Sequence, residues 1–311
     1  MTEKMNRRHF VKTTALGASL ATVVGSASGN VSFPPLQKKR EIPTGTIAGV
    51  EFSRMILGGN LIGHYIHVRD LTYVAHLTAR YNTPEKIYET MRLAEEHGIN
   101  TVNLDVSKPM LEALKEYKKR GGTIQTLMYS AAPVNEDLVA FTQSCQDAIE
   151  AGADAFYLHG AWSDHLVDQY PELFKKTINT MRSFGIPAGV AAHRLEVVEF
   201  CEREKIKFDF YVKTFHHLNY PSAKMNFDSC WCDNPEKHIE VMAKVEKPWI
   251  AYKVMAAGAI PPKNALNYAF SNGADFVLVG MFDFEIDEDT RLLNEVLAQE
   301  NVKNRPRKWF G

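Results

Sequence analysis

Cysteine is scarce in this sequence, and the few residues present do not form the dense pattern of a disulfide-stabilised domain. Four occur among 311 residues: Cys145, Cys201, Cys230 and Cys232. A chain of this length can bury a core that is large enough to fold without cross-links. Cysteines separated by one residue pair poorly with each other, which argues against a disulfide between Cys230 and Cys232. We therefore expect a globular fold that is stabilised by its hydrophobic core.

An excess of charge of either sign is also lacking. The chain has 36 Lys and Arg against 37 Asp and Glu, and its formal net charge is -1. No global field then favours nucleic acid or an anionic membrane. The uncharged stretch near the N-terminus is too short and too weakly apolar for a stable transmembrane span. We expect a small-molecule or oligosaccharide substrate, no nucleic-acid partner and no membrane span, and the oligomeric state stays open.

The N-terminus carries the pattern of a targeting signal. Arg7 and Arg8 lie in a segment that resembles the twin-arginine export motif, and residues 13–29 are uncharged. Small residues at 25–27 suit signal-peptide cleavage. We interpret residues 1–29 as a twin-arginine signal peptide, 30–45 as a linker and 46–311 as the catalytic domain. This organisation predicts a periplasmic or secreted protein.

Beyond the linker, apolar strand patterns alternate with helical patterns. A short hairpin is predicted around Gly49, and several predicted helices close on a glycine such as Gly98 or Gly152. Eight strands with intervening helices favour a single (β/α)₈ TIM barrel over an open sheet. The strands are predicted near 54–58, 101–105, 123–128, 154–159, 187–192, 207–213, 249–254 and 275–280.

In such barrels the chemistry lies at the C-terminal ends of the strands. The segment from Asn60 to Asn82 is long for a βα loop, holds Tyr65 and His67, and is predicted to be a lid or binding loop. Titratable and polar residues at the strand ends are the candidate site: Asn60, His64, Asp105, Tyr129, His159, His193, Lys213, His216, His217 and Lys253.

Two lysines stand late in otherwise apolar strands. Lys213 lies in Phe-Tyr-Val-Lys-Thr and Lys253 in Ala-Tyr-Lys-Val. A second ammonium nearby lowers the pKa of a lysine and frees its amine. These segments are similar to those of class I aldolases of the deoxyribose-phosphate type. The resemblance implies that Lys213 forms a Schiff base and that Lys253 perturbs it. The alternative is a lysine in a salt bridge, for example with Asp105.

Residues 256–280 resemble the phosphate-binding half of many (β/α)₈ barrels. Gly258 and Gly280 end the last two strand patterns, and glycine lets backbone N–H groups approach an anion. The pattern predicts a bound phosphate or carboxylate at these glycines. The alternative is that tight turns at the end of a barrel require glycine in any case.

Longer segments resemble the aldo-keto reductase superfamily: the entry hairpin, residues 55–59, residues 94–101 and residues 155–159. That family uses an Asp, a Tyr, a Lys and a His, and the resemblance matches Asp105 and His159 to two of them. No tyrosine follows Asp105 in residues 106–110, and residues 123–128 contain no lysine. Hydride transfer to a carbonyl needs a general acid. We therefore predict this fold without a stable nicotinamide-dependent reductase activity.

Histidines at the strand ends also allow a metal site. His159, His193 and His216 are the candidate ligands, and no tight spacing such as His-x-x-x-His supports them. The same side chains serve equally as acids, bases or hydrogen-bonding groups. We predict no cofactor, or a divalent metal, ahead of NADP.

Lysines and histidines at one barrel mouth predict proton abstraction next to a carbonyl or carboxylate. We therefore predict a lyase that acts on a carbohydrate-derived substrate, as a dehydratase or an aldolase-type enzyme, in extracytoplasmic polysaccharide degradation. One alternative is an aldo-keto-reductase-like oxidoreductase. Another is a non-catalytic sugar-binding barrel, against which the many titratable groups argue.

The signal peptide gives a first testable prediction. Because signal peptides do not join the mature fold, we expect mass spectrometry of the exported protein to show that residues 1 to about 30 are missing. The double variant with Arg7→Lys and Arg8→Lys is the control, and it should remain uncleaved. An exported protein that keeps Met1 would contradict the prediction.

Overall fold

The computed structural model describes residues 32–223 and 229–311, all within one unit, Ser32–Gly311. The predicted signal peptide lies outside the described residues. The strands are β1 (Thr44–Ile47), β2 (Val50–Ser53), β3 (Met55–Leu57), β4 (Thr101–Asp105), β5 (Gln125–Ser130), β6 (Ala155–Leu158), β7 (Ala188–Ala192), β8 (Phe210–Thr214), β9 (Trp249–Tyr252) and β10 (Phe276–Val279). The helices are α1 (Tyr73–Tyr81), α2 (Pro84–Glu96), α3 (Lys108–Lys119), α4 (Val139–Glu150), α5 (Gly160–Gln169), α6 (Pro171–Arg182), α7 (Leu195–Arg203), α8 (Pro235–Met242), α9 (Pro262–Ser271), α10 (Ile286–Leu297) and α11 (Glu300–Lys303).

Strands β3 to β10 form a closed barrel in which all neighbouring pairs are parallel, and β10 pairs with β3 to complete it. Strands β1 and β2 form a separate antiparallel hairpin. The predictions of a (β/α)₈ barrel and of an N-terminal hairpin are confirmed. No helix in the two described stretches is both long and apolar enough to cross a membrane.

Local sequence signals explain where the helices begin and end. The side chain of Thr83 accepts a hydrogen bond from the backbone N–H of Lys86, and Pro84 occupies the first turn of α2, where a missing N–H costs nothing. Asn234 caps α8 in the same way. Gly98 and Gly152 follow their helices with φ of 88° and 80°, a backbone conformation that favours glycine.

Two separate groups of buried side chains stabilise the barrel. The first lies inside it and includes Ile56, Leu127 and Ile250, with Ile47 and Phe52 of the hairpin packed among them. The hairpin therefore closes the N-terminal end of the barrel. The second, larger group fills the space between the strands and the surrounding helices. Because successive side chains of a strand point to opposite faces, each strand contributes to both groups.

A buried ionic cluster secures the C-terminal residues beneath the barrel. Asp275, which is fully buried before β10, accepts hydrogen bonds from Arg305 at 2.6 Å and from Arg307 at 2.7 Å. Its carboxylate also accepts the backbone N–H groups of Trp249 and Phe310, both at 2.9 Å. Both oxygens are thus fully engaged, and the residues after α11 are attached to the start of β9 and β10.

Replacement of this carboxylate by an amide tests the cluster. In Asp275→Asn the new NH₂ group faces N–H donors, and two buried guanidinium groups lose their counter-charge. We expect the free energy of unfolding to fall by about 3–5 kcal/mol in urea titrations. Glu300→Gln is the control, because its pair with Lys303 is exposed and such pairs contribute about 0–1 kcal/mol. A loss in Asp275→Asn no larger than in the control would contradict the assignment.

Candidate active site

The candidate site lies at the C-terminal mouth of the barrel, where the alternation of side chains decides which residues meet. Tyr129 and Tyr252 pack against the inner group of side chains, at the ends of β5 and β9. Asp105 at the end of β4 follows the same alternation, and His159 and His193, directly after β6 and β7, continue it. The mouth therefore gathers phenol, imidazole and carboxylate groups from neighbouring strands.

Asp105 is contacted by a phenol from a distant loop. The Tyr65 hydroxyl donates to Asp105 Oδ2 across 3.4 Å, a long hydrogen bond. Burial raises the pKa of Asp105. The nearby charge of Asp105 is in turn the largest cause that raises the pKa of Tyr65. Below Asp105, Asn103 and Tyr157 bond to each other at 3.0 Å and fill the floor of the mouth.

His159 is linked to Asp105 through Tyr129. Its ring stacks on Tyr129 with centroids 5.1 Å apart, and Tyr129 is the strand partner of Asp105. Tyr129 thus connects Asp105 to His159. Burial, assisted by the charges of His193 and Lys253, lowers the pKa of His159 to about 4. The imidazole is consequently neutral at pH 7.

His193 is held by a carboxylate. Its Nδ1 lies 2.8 Å from Oδ2 of Asp164, a residue of α5, and both side chains are mostly buried. The same carboxylate accepts the backbone N–H groups of His193 and Arg194, at 3.2 and 3.1 Å. Burial lowers the pKa of His193 more than Asp164 raises it. The neutral ring therefore donates from Nδ1 and offers Nε2 as an acceptor.

The opposite side of the mouth is aromatic and cationic. The His193 ring lies 5.0 Å from Trp231 and 5.6 Å from Tyr252. Lys253 has a left-handed φ of 59°, which directs its Nζ to within 2.5 Å of His67 Nε2 and 3.9 Å above the Trp231 ring. Lys253 thus reaches the mouth although its place in the strand alternation would turn it outward.

The loop between β3 and α1 crosses the mouth. Tyr65 contacts Asp105 on β4, His67 contacts Lys253 after β9, and Arg69 donates to Ser222 in the loop after β8 at 2.8 Å. The loop covers the mouth from one side to the other, which is the place expected of the lid predicted for residues 60–82.

Lys213 does not reach the mouth. Tyr211, two residues earlier on β8, directs its hydroxyl to Glu202 of α7, so this face of the strand looks toward the helices. Lys213 is completely buried on the same face, and its Nζ donates to the backbone oxygens of His193 at 2.6 Å and Thr214 at 3.2 Å. Burial lowers its pKa to about 8. The Schiff-base role predicted for Lys213 is wrong, because the amine is outside the barrel.

Other predicted site residues are engaged in the loops. His216 accepts the backbone N–H groups of Trp231 and Cys232 at Nε2, and His217 bonds to Asn264 of α9 at 2.8 Å. Both therefore organise the loop after β8. In the β3–α1 loop, the Asn60 backbone oxygen accepts from Tyr65, and the His64 ring bonds to the backbone oxygen of Asn82 at 3.1 Å.

The two predicted anion-binding glycines lie in different settings. Gly258 has a left-handed φ of 79° in an exposed turn. The helix after it begins with Pro261 and Pro262, which have no N–H groups to offer an anion. Gly280 lies close to Gly58, because a Cβ on Gly58 would be 2.7 Å from the backbone nitrogen of Gly280. These glycines permit the tight turns of the alternative interpretation, and anion binding stays a prediction.

The candidate metal ligands are not gathered. His159 and His193 share the mouth, whereas His216 uses both ring nitrogens on backbone groups. In the part of the chain that the structure describes, no group of three His, Cys, Asp or Glu side chains is arranged to hold a metal ion.

Sequence reasoning missed two functional contacts. Asp164 lies five residues after His159 in an ordinary helical pattern, and only the fold brings it to His193. The family resemblance implies a tyrosine after Asp105, whereas Tyr65 contacts Asp105 from 40 residues earlier in the chain. A carboxylate within the first turns of a helix that follows a mouth histidine is the signal that points to Asp164.

Comparison with known proteins adds the fold relationship. No protein-family model and no curated protein sequence matches this chain. Among solved structures, a protein assigned to the aldo-keto reductases from Pseudomonas aeruginosa matches with a TM-score of 0.58 and 14% identity, over 83% of this chain and 98% of that one. The holo form of an aldo-keto reductase from Bacillus halodurans has a TM-score of 0.56 and 10% identity, over 86% and 100%. A variant of Gox0644 in complex with NADPH has a TM-score of 0.55 and 12% identity, over 88% and 97%.

These neighbours confirm the resemblance in fold to the aldo-keto reductase superfamily. They also correct two predictions. The neighbours are reductases, so the prediction of a lyase, dehydratase or aldolase is wrong and its oxidoreductase alternative is favoured. One neighbour was solved with NADPH. The prediction that favoured no cofactor, or a divalent metal, over NADP is therefore wrong as well.

The neutral state of His159 gives a testable pH dependence. An unfolded histidine has a pKa near 6.5, and the folded His159 protonates only near pH 4. Between these values the unfolded chain binds more protons, so stability falls as the pH is lowered from 7 to 5. In His159→Gln we expect this loss to be about 1–2 kcal/mol smaller than in the wild type. Urea titrations at pH 7 and pH 5 measure this loss in both proteins. The same loss in the variant and in the wild type would contradict a buried neutral His159.

Proposed function

We propose that this protein is an aldo-keto-reductase-like oxidoreductase that transfers a hydride between a nicotinamide cofactor and a carbonyl or hydroxyl carbon of a small substrate. The observation that carries the proposal is that, at the mouth of a barrel with this fold, Tyr65 bonds to Asp105 and His159 stacks on Tyr129, the strand partner of Asp105. The aldo-keto reductase resemblance implies an Asp, a Tyr, a Lys and a His, and three of these four groups are present. The phenol comes from the loop that crosses the mouth.

The fourth group differs. The position beside Asp105 on β5 is occupied by Tyr129, not by a lysine. The charge of Asp105 raises the pKa of Tyr65, and the phenol keeps its proton at neutral pH. When a substrate is bound, the single O–H of Tyr65 would turn from Asp105 to the reacting oxygen and stabilise the negative charge that develops there. His159 is a second neutral group on the same side.

One buried polar group at the mouth could serve a nicotinamide once the surrounding side chains move apart. The Tyr252 hydroxyl is buried and has no hydrogen bond in good geometry among the described residues, although the Thr214 side chain lies beside it. A Cβ on Gly160 would be 2.9 Å from that hydroxyl and 3.0 Å from His193, so glycine lets α5 approach both side chains closely. A carboxamide, which is donor and acceptor at once, would be a suitable partner for this hydroxyl. When bound, a nicotinamide supplies or accepts the hydride.

We extend the proposal to substrate and location. A carbohydrate-derived carbonyl compound remains the substrate class to test first, since the mouth combines aromatic and hydrogen-bonding side chains. Export through the twin-arginine segment remains a proposal from Arg7 and Arg8.

Cofactor binding and turnover test the proposed function. We expect the purified protein to enhance NADPH fluorescence on titration, with NADH compared in parallel, and to oxidise or reduce members of a panel of sugars and sugar aldehydes. In Tyr65→Phe we expect kcat to fall about 10- to 100-fold, because one donor to the developing charge is lost from a partly exposed site. Cofactor affinity should remain unchanged in this variant.

The matched control is Tyr73→Phe, which changes an exposed tyrosine at the start of α1. It should retain the kcat and KM of the wild type. The proposal would be refuted if calorimetry showed that the wild-type protein binds neither NADPH nor NADH and if no member of the panel were turned over.

A further inference from the structure

The geometry of the mouth leaves one chemical role unassigned. When an alcohol is oxidised, its hydroxyl proton must pass to a base as the hydride leaves the carbon. Tyr65 holds its own proton, and its hydroxyl already donates to Asp105. A neutral group with an open acceptor atom is therefore needed elsewhere in the mouth.

His193 has the required chemistry and is held on its ring and backbone. Asp164 accepts from Nδ1 at 2.8 Å and from the backbone N–H of His193 at 3.2 Å. The bond from Nδ1 selects the tautomer in which Nε2 carries the lone pair. No described residue bonds to Nε2, so this atom remains available to a substrate hydroxyl.

Lys213 holds the same residue from behind the barrel wall. Its Nζ donates to the His193 backbone oxygen at 2.6 Å, and the side chain is fully buried. Among the described residues no carboxylate forms a salt bridge with Lys213, and two backbone oxygens accept from its amine instead. The contacts of Lys213 fix the backbone of the turn after β7, where His193 lies.

The other mouth histidines are less suited to the role. The ring nitrogens of His159 bond to no group in residues 32–223 and 229–311, and the ring is oriented by stacking on Tyr129. His67 is bonded through Nε2 to Lys253. His193 is thus the mouth histidine that a carboxylate orients.

We propose that His193 is the catalytic base that accepts the proton of the substrate hydroxyl, and that Asp164 and Lys213 are its positioning residues. The proposal rests on the proposed function and assigns the alcohol-oxidising direction to this site. The O–H bond breaks toward His193 Nε2, and the C–H hydride passes to the oxidised nicotinamide. The products are a carbonyl compound, the reduced nicotinamide and a protonated His193, which returns its proton to water.

The first experiment compares three variants with the wild-type holoenzyme: His193→Asn, Asp164→Asn and His165→Asn. His165 is the matched control, since it is exposed on the same helix beside Asp164. We expect kcat for alcohol oxidation to fall about 10²- to 10⁴-fold in His193→Asn and at least about 10-fold in Asp164→Asn. His165→Asn should match the wild type, and NADPH affinity should change less than about threefold in all of them.

A pH profile separates a catalytic base from a structural histidine. The titratable and charged groups around His193 are Asp164 on α5, Lys213 on β8, Lys253 after β9 and the neutral His159 after β6. Oxidation needs neutral His193, so kcat falls as the pH drops through its pKa. Asp164 raises that pKa and Lys213 lowers it. We therefore expect the acid limb to move to lower pH in Asp164→Asn and to higher pH in Lys213→Met.

A measurement without substrate or cofactor covers the case in which a variant folds poorly. In ¹⁵N-histidine NMR spectra of the wild-type protein at pH 7, His193 should show a protonated Nδ1 and an unprotonated Nε2. The opposite tautomer would overturn the proposal.

The outcomes distinguish this inference from the function on which it rests. If the wild type binds no nicotinamide, both are wrong. If the wild type binds NADPH and oxidises alcohols while His193→Asn keeps its kcat and acid limb, only the inference is wrong. Loss of oxidation in His159→Gln together with full activity in His193→Asn would assign the proton to His159.

Discussion

Closure of the eight-stranded barrel is the constraint on which the site depends. Once β10 pairs with β3, every strand has an inner and an outer face, and alternate residues are committed to one or the other. Tyr129 and Tyr252 belong to the inner face, and Tyr211 and Lys213 to the outer face. The alternation that brings the mouth residues together thus places Lys213 outside the barrel, where its amine bonds to the backbone of the wall.

The site is built from one rigid half and one loop. Asp105, His159 and His193 stand on or directly after strands, so the barrel fixes their positions. Tyr65 and His67 belong to the loop that crosses the mouth, and their contacts to Asp105 and Lys253 depend on the position of that loop. Rigid strand ends suit groups that exchange protons, whereas a loop suits groups that must admit a substrate before they engage.

The strands and most mouth residues could be predicted from the sequence because glycines end the helices and polar residues end apolar runs. The orientation of Lys213 could not, since β8 is buried on both faces and Phe-Tyr-Val shows no polar alternation. Tyr65 meets Asp105 through the path of a long loop, which has no periodic signal. Asp164 lies on a helix of ordinary pattern, and its partner is 29 residues away. The lyase prediction rested on lysines and histidines gathered at one mouth, and the structure keeps Lys213 out of that mouth.

His159 and Asp164 belong to one strand–helix junction. His159 follows β6 and is the N-cap residue of α5, and Asp164 lies on α5 where it bonds to His193 after the next strand. A shift of this helix by a fraction of an ångström therefore moves the surroundings of two imidazoles at once. Substitutions at His159 and His193 would then not act independently, and their combined effect on the free energy of activation should depart from the sum of the separate effects. The positions of the two histidines are thus coupled through α5.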